Sequence, residues 1–155
     1  VVYFIASPDN FTQRYLYQAK LFGKGEVKRL SPMDQSGQHS YSMSPTGKWA
    51  VHTFSNAQTV PQTDMQSFPS GKTVKVLVDN SKAQQEFDEM GLQAKEFVKV
   101  KSGELMLDAW MIKPFNFDAS KKYPVIIDVY GEPANATVQD LKRLVDFWKV
   151  ISNSE

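Results

Sequence analysis

The 155-residue sequence contains no cysteine at all. That excludes disulfides, thiolate nucleophiles and most structural zinc sites together. Charge of either sign is not in excess: eighteen Lys and Arg stand against seventeen Asp and Glu, a formal charge of +1. Such a balance gives no electrostatic reason to expect nucleic acid or an anionic membrane surface as partner, and neither is expected. No apolar stretch approaches the roughly 20 residues that a membrane-crossing helix needs. Val1 opens in a strand-like run rather than in a charged signal region, which reads as a trimmed or internal segment. Histidine is scarce, at two residues, His39 and His52. Each reads as a polar strand position, one at an edge and one facing outward, rather than as a ligand or base.

What is present is a succession of short strand-like runs separated by turn residues. "VVYFIASPDNFTQRYLYQAKLFGKGEVKRLS" and "WAVHTFSNAQTVPQTDMQSFPSGKTVKVLVDN" carry their apolar runs and turns in the same order, with Ile5 against Phe54, Leu16 against Met65, Gly23 against Gly71 and Leu30 against Leu77. A period near fifty residues with several strands per unit is the mark of propeller blades. Two unrelated meanders in a small sandwich would also give short strands at regular spacing. Alternation in "RYLYQAKL" and "TVKVLVD" predicts half-buried strands. Ser7-Pro8-Asp9-Asn10, Gly23-Lys24-Gly25 and Pro69-Ser70-Gly71-Lys72 supply the backbone angles of reversals, and Ser44-Pro45-Thr46-Gly47-Lys48 reads as a hairpin turn. The second unit therefore has four strands and the first lacks its opening one. Two blades close no ring, so exposed sheet faces and self-association through blade edges are expected.

Beyond Asp79 the composition changes. "SKAQQEFDEMGLQ", 81–93, places Ala83, Phe87 and Met90 at helical spacing and ends near Gly91. Its Glu86, Asp88 and Glu89 read as a solvated face and not as a metal site. Three more strand-like runs follow, "KEFVKVK", "LMLDAWMIKP" and "YPVIIDVYG". Ser102-Gly103-Glu104 turns the first into the second. The near-continuous Val/Ile run at 125–129 predicts a strand buried on both faces. Two Asn-x-Thr triplets, at Asn10 and Asn135, are candidate glycan acceptors.

The stretch "GELMLDAWMIKPFNFDASKKYPVIIDVYGEP" resembles the entry into the α/β-hydrolase domain of the prolyl oligopeptidase superfamily of serine peptidases. Together with "YFIASPDNFTQRYLYQAKLFGKGEVKRLS" and "HSYSMSPTGKWAVHTFS" it is most similar to the dipeptidyl peptidase IV branch. The resemblance implies a mainly β fold with some α: the last blades of a β-propeller over 1–80, a helical linker over 81–93, and the first strands of an α/β-hydrolase domain over 94–140. Residues 141–155, with Leu141, Leu144, Val145, Trp148 and Val150-Ile151 apolar, read as a helical tail that departs from the family.

In function the resemblance implies a serine exopeptidase that releases N-terminal dipeptides with Pro or Ala second, with no cofactor and no metal. Its bacterial relatives imply a periplasmic or secreted location. Tyr130, in "DVYGEP", stands at the position of the family's oxyanion-hole tyrosine. A phenol there donates a hydrogen bond to the charge developing on the substrate oxygen, worth about 2.7–4 kcal/mol for one well-placed donor. The sequence departs from the motif at Glu132-Pro133-Ala134, which puts a carboxylate beside the proposed hole; the expectation is that Glu132 points away or pairs with a cation. No Gly-x-Ser-x-Gly nucleophile elbow occurs in the sequence. The chain alone is therefore expected to be inactive, and a non-catalytic propeller-type binding or assembly module is the alternative reading.

Overall fold

The computed structural model of the chain describes residues 1–131 and 136–142. Among these the fold is mostly β, with one helix. β1 (Val2–Ala6), β2 (Tyr15–Ala19) and β3 (Lys28–Arg29) form a three-stranded antiparallel sheet in that order. β4 (Gln38–Met43), β5 (Trp49–Ser55), β6 (Gln62–Ser67) and β7 (Lys72–Val78) form a four-stranded antiparallel meander. α1 (Ser81–Glu89) follows, and then a hairpin of β8 (Glu96–Ser102) and β9 (Leu105–Met111).

The aligned residues of the two repeat units fall in corresponding strands: Ile5 in β1 and Phe54 in β5, Leu16 in β2 and Met65 in β6, with Leu30 just past β3 and Leu77 in β7. Turn chemistry explains the reversals. Gly47 (φ +66°) closes the β4–β5 hairpin, where the Ser44 amide bonds the Trp49 carbonyl at 2.8 Å. Gly71 (φ +66°) does the same between β6 and β7, and Gly103 (φ +60°) between β8 and β9.

The two sheets meet along the starts of β2 and β4. Arg14 and Gln38 form a parallel bridge, with the Arg14 amide on the Gly37 carbonyl and the His39 amide on the Arg14 carbonyl, both at 3.0 Å. The core lies at this seam: Tyr15, Leu16 and Tyr17 are buried from one side, Ala50 and Phe54 from the other, with Ala57 and Val60 of the β5–β6 loop.

Two expectations about strands are corrected. β2 does not alternate, because it is central in its sheet and the second sheet packs beside it, so three successive residues are buried. β7 does not alternate either; it is the last strand of its sheet and all seven of its residues are exposed. The run 125–129, expected to be a strand buried on both faces, forms no strand, and Val125, Ile126, Ile127 and Val129 are 66–80% exposed. A central strand needs a paired neighbour on each edge, and among the described residues no strand pairs with this run. The helix is shorter than 81–93. It ends at Glu89, with the Met90 amide on the Glu86 carbonyl and Gly91 at φ +61°.

Candidate functional site

Tyr130 follows the unpaired run 125–129 and is 47% exposed. A Cβ added at Gly131 would meet open space. Glu132 and the acceptor Asn135 fall outside the described residues, as does the tail beyond Lys142; Leu141 and Lys142 themselves are not helical. Asn10 is engaged in an Asx turn, its Oδ1 accepting from the Thr12 amide at 3.0 Å and the Thr12 hydroxyl at 2.8 Å.

Both histidines depart from the expectation of polar, outward strand positions. His39 is 2% and His52 4% exposed. The β4–β5 register sets Tyr41 opposite His52 and His39 opposite Phe54, so the two imidazoles are diagonal neighbours on one face. They stack with ring centroids 5.2 Å apart, covered by Tyr15 from β2 and by Tyr41 and Phe54. The Gln35 carbonyl can only accept, so His39 Nε2, 2.9 Å away, carries a proton. His39 Nδ1 then faces His52 Nε2 at 2.9 Å, and His52 Nδ1 lies 2.9 Å from Gln66 Nε2. With one N–H on a neutral ring, His52 donates either through Nε2 to His39 Nδ1 or through Nδ1 to the Asp64 carboxylate, and not to both. Asp64, opposite His52 on β6, holds Oδ1 2.8 Å from His52 Nδ1 and accepts from Gln66 and Thr73.

The electrostatics agree with neutral rings. Burial lowers the pKa of His39 to about 4 against a raising hydrogen bond to the Gln35 carbonyl, with His52 and Arg29 lowering it further. Burial also lowers His52, outweighing the Asp64 contact that raises it. For Asp64 burial acts upward, but the hydrogen bonds from Thr73, Gln66 and His52 outweigh it and leave the carboxyl below its ordinary range. Arg29 stacks 3.5 Å above the Tyr15 ring and donates to the Ser31 and Pro32 carbonyls, closing the cluster from β3. Because every ring nitrogen is occupied inside the sheet, neither histidine is placed as a solvent-facing base. Among the described residues, no group of three His, Cys, Asp or Glu could hold a metal ion.

The second polar constellation joins distant parts of the chain. Asp140, 8% exposed, accepts from the Ala57 amide at 2.8 Å through Oδ1 and from Gln13 Nε2 at 2.8 Å through Oδ2, while its own amide donates to the Thr12 carbonyl at 2.8 Å. Tyr15 donates its hydroxyl to Gln13 Oε1 at 2.6 Å, which turns the Gln13 NH2 toward Asp140. Lys142, 5% exposed, places Nζ 3.9 Å over the Phe87 ring of α1 and donates to the Gln58 carbonyl at 2.8 Å; Asp88 Oδ1 lies at 3.8 Å. Burial lowers its pKa, and Asp88 acts against that. Sequence reading assigned neither residue a role. Their partners lie more than fifty positions away, and no local pattern signals such a contact. The histidine cluster did have a signal: the turn at 44–48 fixes the hairpin register, and counting back from it puts His39 and His52 on one face.

The described residues 1–61 match the family described as the dipeptidyl peptidase IV N-terminal region. "Probable dipeptidyl-aminopeptidase B" of Arthroderma benhamiae is 30% identical over 99% of this chain, and the protein of the same name from Chaetomium globosum is 32% identical over 98%. The crystal structure of Porphyromonas gingivalis dipeptidyl peptidase 4 superposes on 97% of the chain with a TM-score of 0.86, at 26% identity. The chain is a member of the dipeptidyl peptidase IV-like family. This dipeptidyl peptidase IV-like chain spans 16–17% of the length of the two fungal relatives and 21% of the bacterial structure. No helix among its described residues is long and apolar enough to cross a membrane.

Proposed function

We propose that this chain is the part of a serine exopeptidase that leads into the catalytic domain, and that the enzyme releases N-terminal dipeptides with Pro or Ala in second place. The superposition on a dipeptidyl peptidase 4 over nearly the whole chain carries this reading. In it, residues 1–80 are the last two blades of a propeller, and residues 94–140 begin an α/β-hydrolase domain. A periplasmic or secreted setting belongs to the same proposal.

Chemically, acyl transfer from a peptide needs a nucleophile, a base and donors for the tetrahedral oxyanion. Tyr130 supplies one donor, with its phenol partly exposed. The remaining groups are not in this sequence: no Gly-x-Ser-x-Gly turn occurs, and both histidines are buried with their ring nitrogens engaged. The 155 residues are therefore inactive by themselves. A Gly-Pro chromogenic amide incubated with the purified chain should give no turnover sensitive to a serine-directed inhibitor, and such turnover would sink the assignment of inactivity. In the longer coding region the elbow should follow Tyr130. There, Tyr130→Phe should lower kcat by about 10²–10³ with little change in KM.

The exposed faces of β7 and of residues 125–129 favour a second property of the isolated chain, self-association through apolar strands.

A further inference from the structure

The geometry points to a peptide-recognition site at the seam between the two sheets, one that reads an Asp-x-Lys segment and is filled in cis by Asp140 and Lys142. The inference is independent of the peptidase reading, because it uses only how the seam treats these two side chains. Each feature of the site has a chemical purpose. Carboxylate oxygens only accept, and the seam offers Asp140 two donors whose own positions are fixed, one a loop amide and the other the Gln13 NH2 oriented by Tyr15. An asparagine would set its NH2 against one of those donors.

The lysine half is read by different means. Its ammonium lies over the Phe87 ring, takes one carbonyl at Gln58 and has Asp88 at its margin, an arrangement that selects a cation over a neutral chain. The backbone between the two anchors is fitted as well. The Leu141 amide bonds the Gln139 carbonyl at 3.0 Å, a three-residue turn centred on Asp140, and the Lys142 amide reaches Ser55 Oγ at 3.3 Å. Leu141, between the anchors, is only partly buried. The site discriminates at alternate residues, as peptide-recognition grooves do.

The receiving walls are held without the ligand's help. Gln84 of α1 accepts from the Val60 amide at 2.9 Å and donates to the Gln58 carbonyl at 3.1 Å, so helix and loop are tied together by contacts that use neither Asp140 nor Lys142. Covalent linkage gives the cis segment a high effective concentration, and an external peptide competes only when the cis copy is weakened.

The test uses the 155-residue chain, its Asp140→Ala/Lys142→Ala variant, and a fluorescein-labelled peptide of sequence Ala-Thr-Val-Gln-Asp-Leu-Lys. Fluorescence anisotropy should show saturable binding to the variant, at least about tenfold tighter than to the unmodified chain, and loss of that binding when the peptide's Asp is replaced by Asn. Binding that is absent from the variant, equal in the two proteins, or indifferent to the Asp overturns the site. Hydrogen exchange supplies a second measurement without mutation. The Ala57 amide of the unmodified chain should exchange slowly, and fast exchange there overturns the proposal. Should the double variant lose protection across the β5 ladder, the same titration is made on Lys142→Met, which keeps the stem and removes the ammonium.

Discussion

His39 owes its behaviour to what surrounds it: Tyr15 and Arg29 from the first sheet, Tyr41, His52 and Phe54 from the second, and Asp64 one strand further on. A proton added to this cluster charges an imidazole that has little solvent to hydrate it. The sign follows directly. An unfolded histidine binds its proton near pH 6.5, whereas His39 in the fold waits until about pH 4, so between these values the unfolded chain holds more protons. Stability from His39 is full above pH 6.5 and declines as pH falls toward 4, by about 3 kcal/mol at most. His52 acts in the same direction, and Asp64, whose pKa is also depressed, adds a loss at the acid end. Urea midpoints measured from pH 7.5 down to 4.5 should therefore fall steadily. His39→Phe keeps an aromatic ring but leaves buried His52 Nε2 and the Gln35 carbonyl without their partner, so it should cost about 1–3 kcal/mol at pH 7.5. The same variant should lose less than the native chain on acidification. Parallel pH profiles for the two proteins would assign the acid sensitivity elsewhere.

At the scale of elements, the joint between the two sheets turns on one residue. Gly37 has φ +148° and its carbonyl takes the Arg14 amide that begins the parallel bridge. A Cβ there would stand 2.5 Å from the Ser55 carbonyl oxygen and 2.8 Å from Asn56 Cβ, both on the strand and loop that wall the seam. Gly23, at φ +84°, has nothing within 4 Å of the same position. Both alanine substitutions carry backbone strain of about 1–3 kcal/mol, and only Gly37→Ala adds a clash with backbone, typically about 1–3 kcal/mol more. Thermal unfolding should rank Gly37→Ala well below Gly23→Ala, and equal midpoints would mean that the joint gives way freely. These elements also mark where the sequence was legible. Strands bounded by Gly, Pro and Ser turns, such as the β4–β5 and β8–β9 hairpins, announce themselves locally because the turn residues at 44–48 and 102–104 fix where the chain reverses. The burial of β2 and exposure of β7 were not legible, since each depends on which neighbours flank the strand. At the candidate site, Tyr130 could be pointed to through family resemblance, and the Asp140–Lys142 contact could not be seen at all. Its partners at Gln13, Ala57 and Gln58 lie 127, 83 and 84 residues away.

For the molecule as a whole, the open question is how a chain with so much uncovered apolar strand behaves in water. Val74, Val76, Leu77 and Val78 are exposed on β7, and Leu105, Met106 and Leu107 on β9. Val125, Ile126, Ile127 and Val129 add an exposed run with no ladder of its own among the described residues. Each exposed strand offers backbone donors and acceptors beside apolar side chains, the combination that templates pairing with another chain. Burial of apolar surface favours contact by about 25 cal/mol per Å², while the near-zero net charge opposes it only weakly. Sedimentation velocity should show the weight-average coefficient rising with protein concentration. Ile127→Lys together with Val129→Lys places like charges on successive same-side positions of the run and should return the chain toward monomer, without moving the unfolding midpoint of the two sheets. A matching pair on β7, Val74→Lys with Val76→Lys, separates the two surfaces. If only the β7 pair disperses the chain, association runs through the sheet edge. Concentration-independent sedimentation of the unmodified chain would show instead that these strands are covered within the molecule.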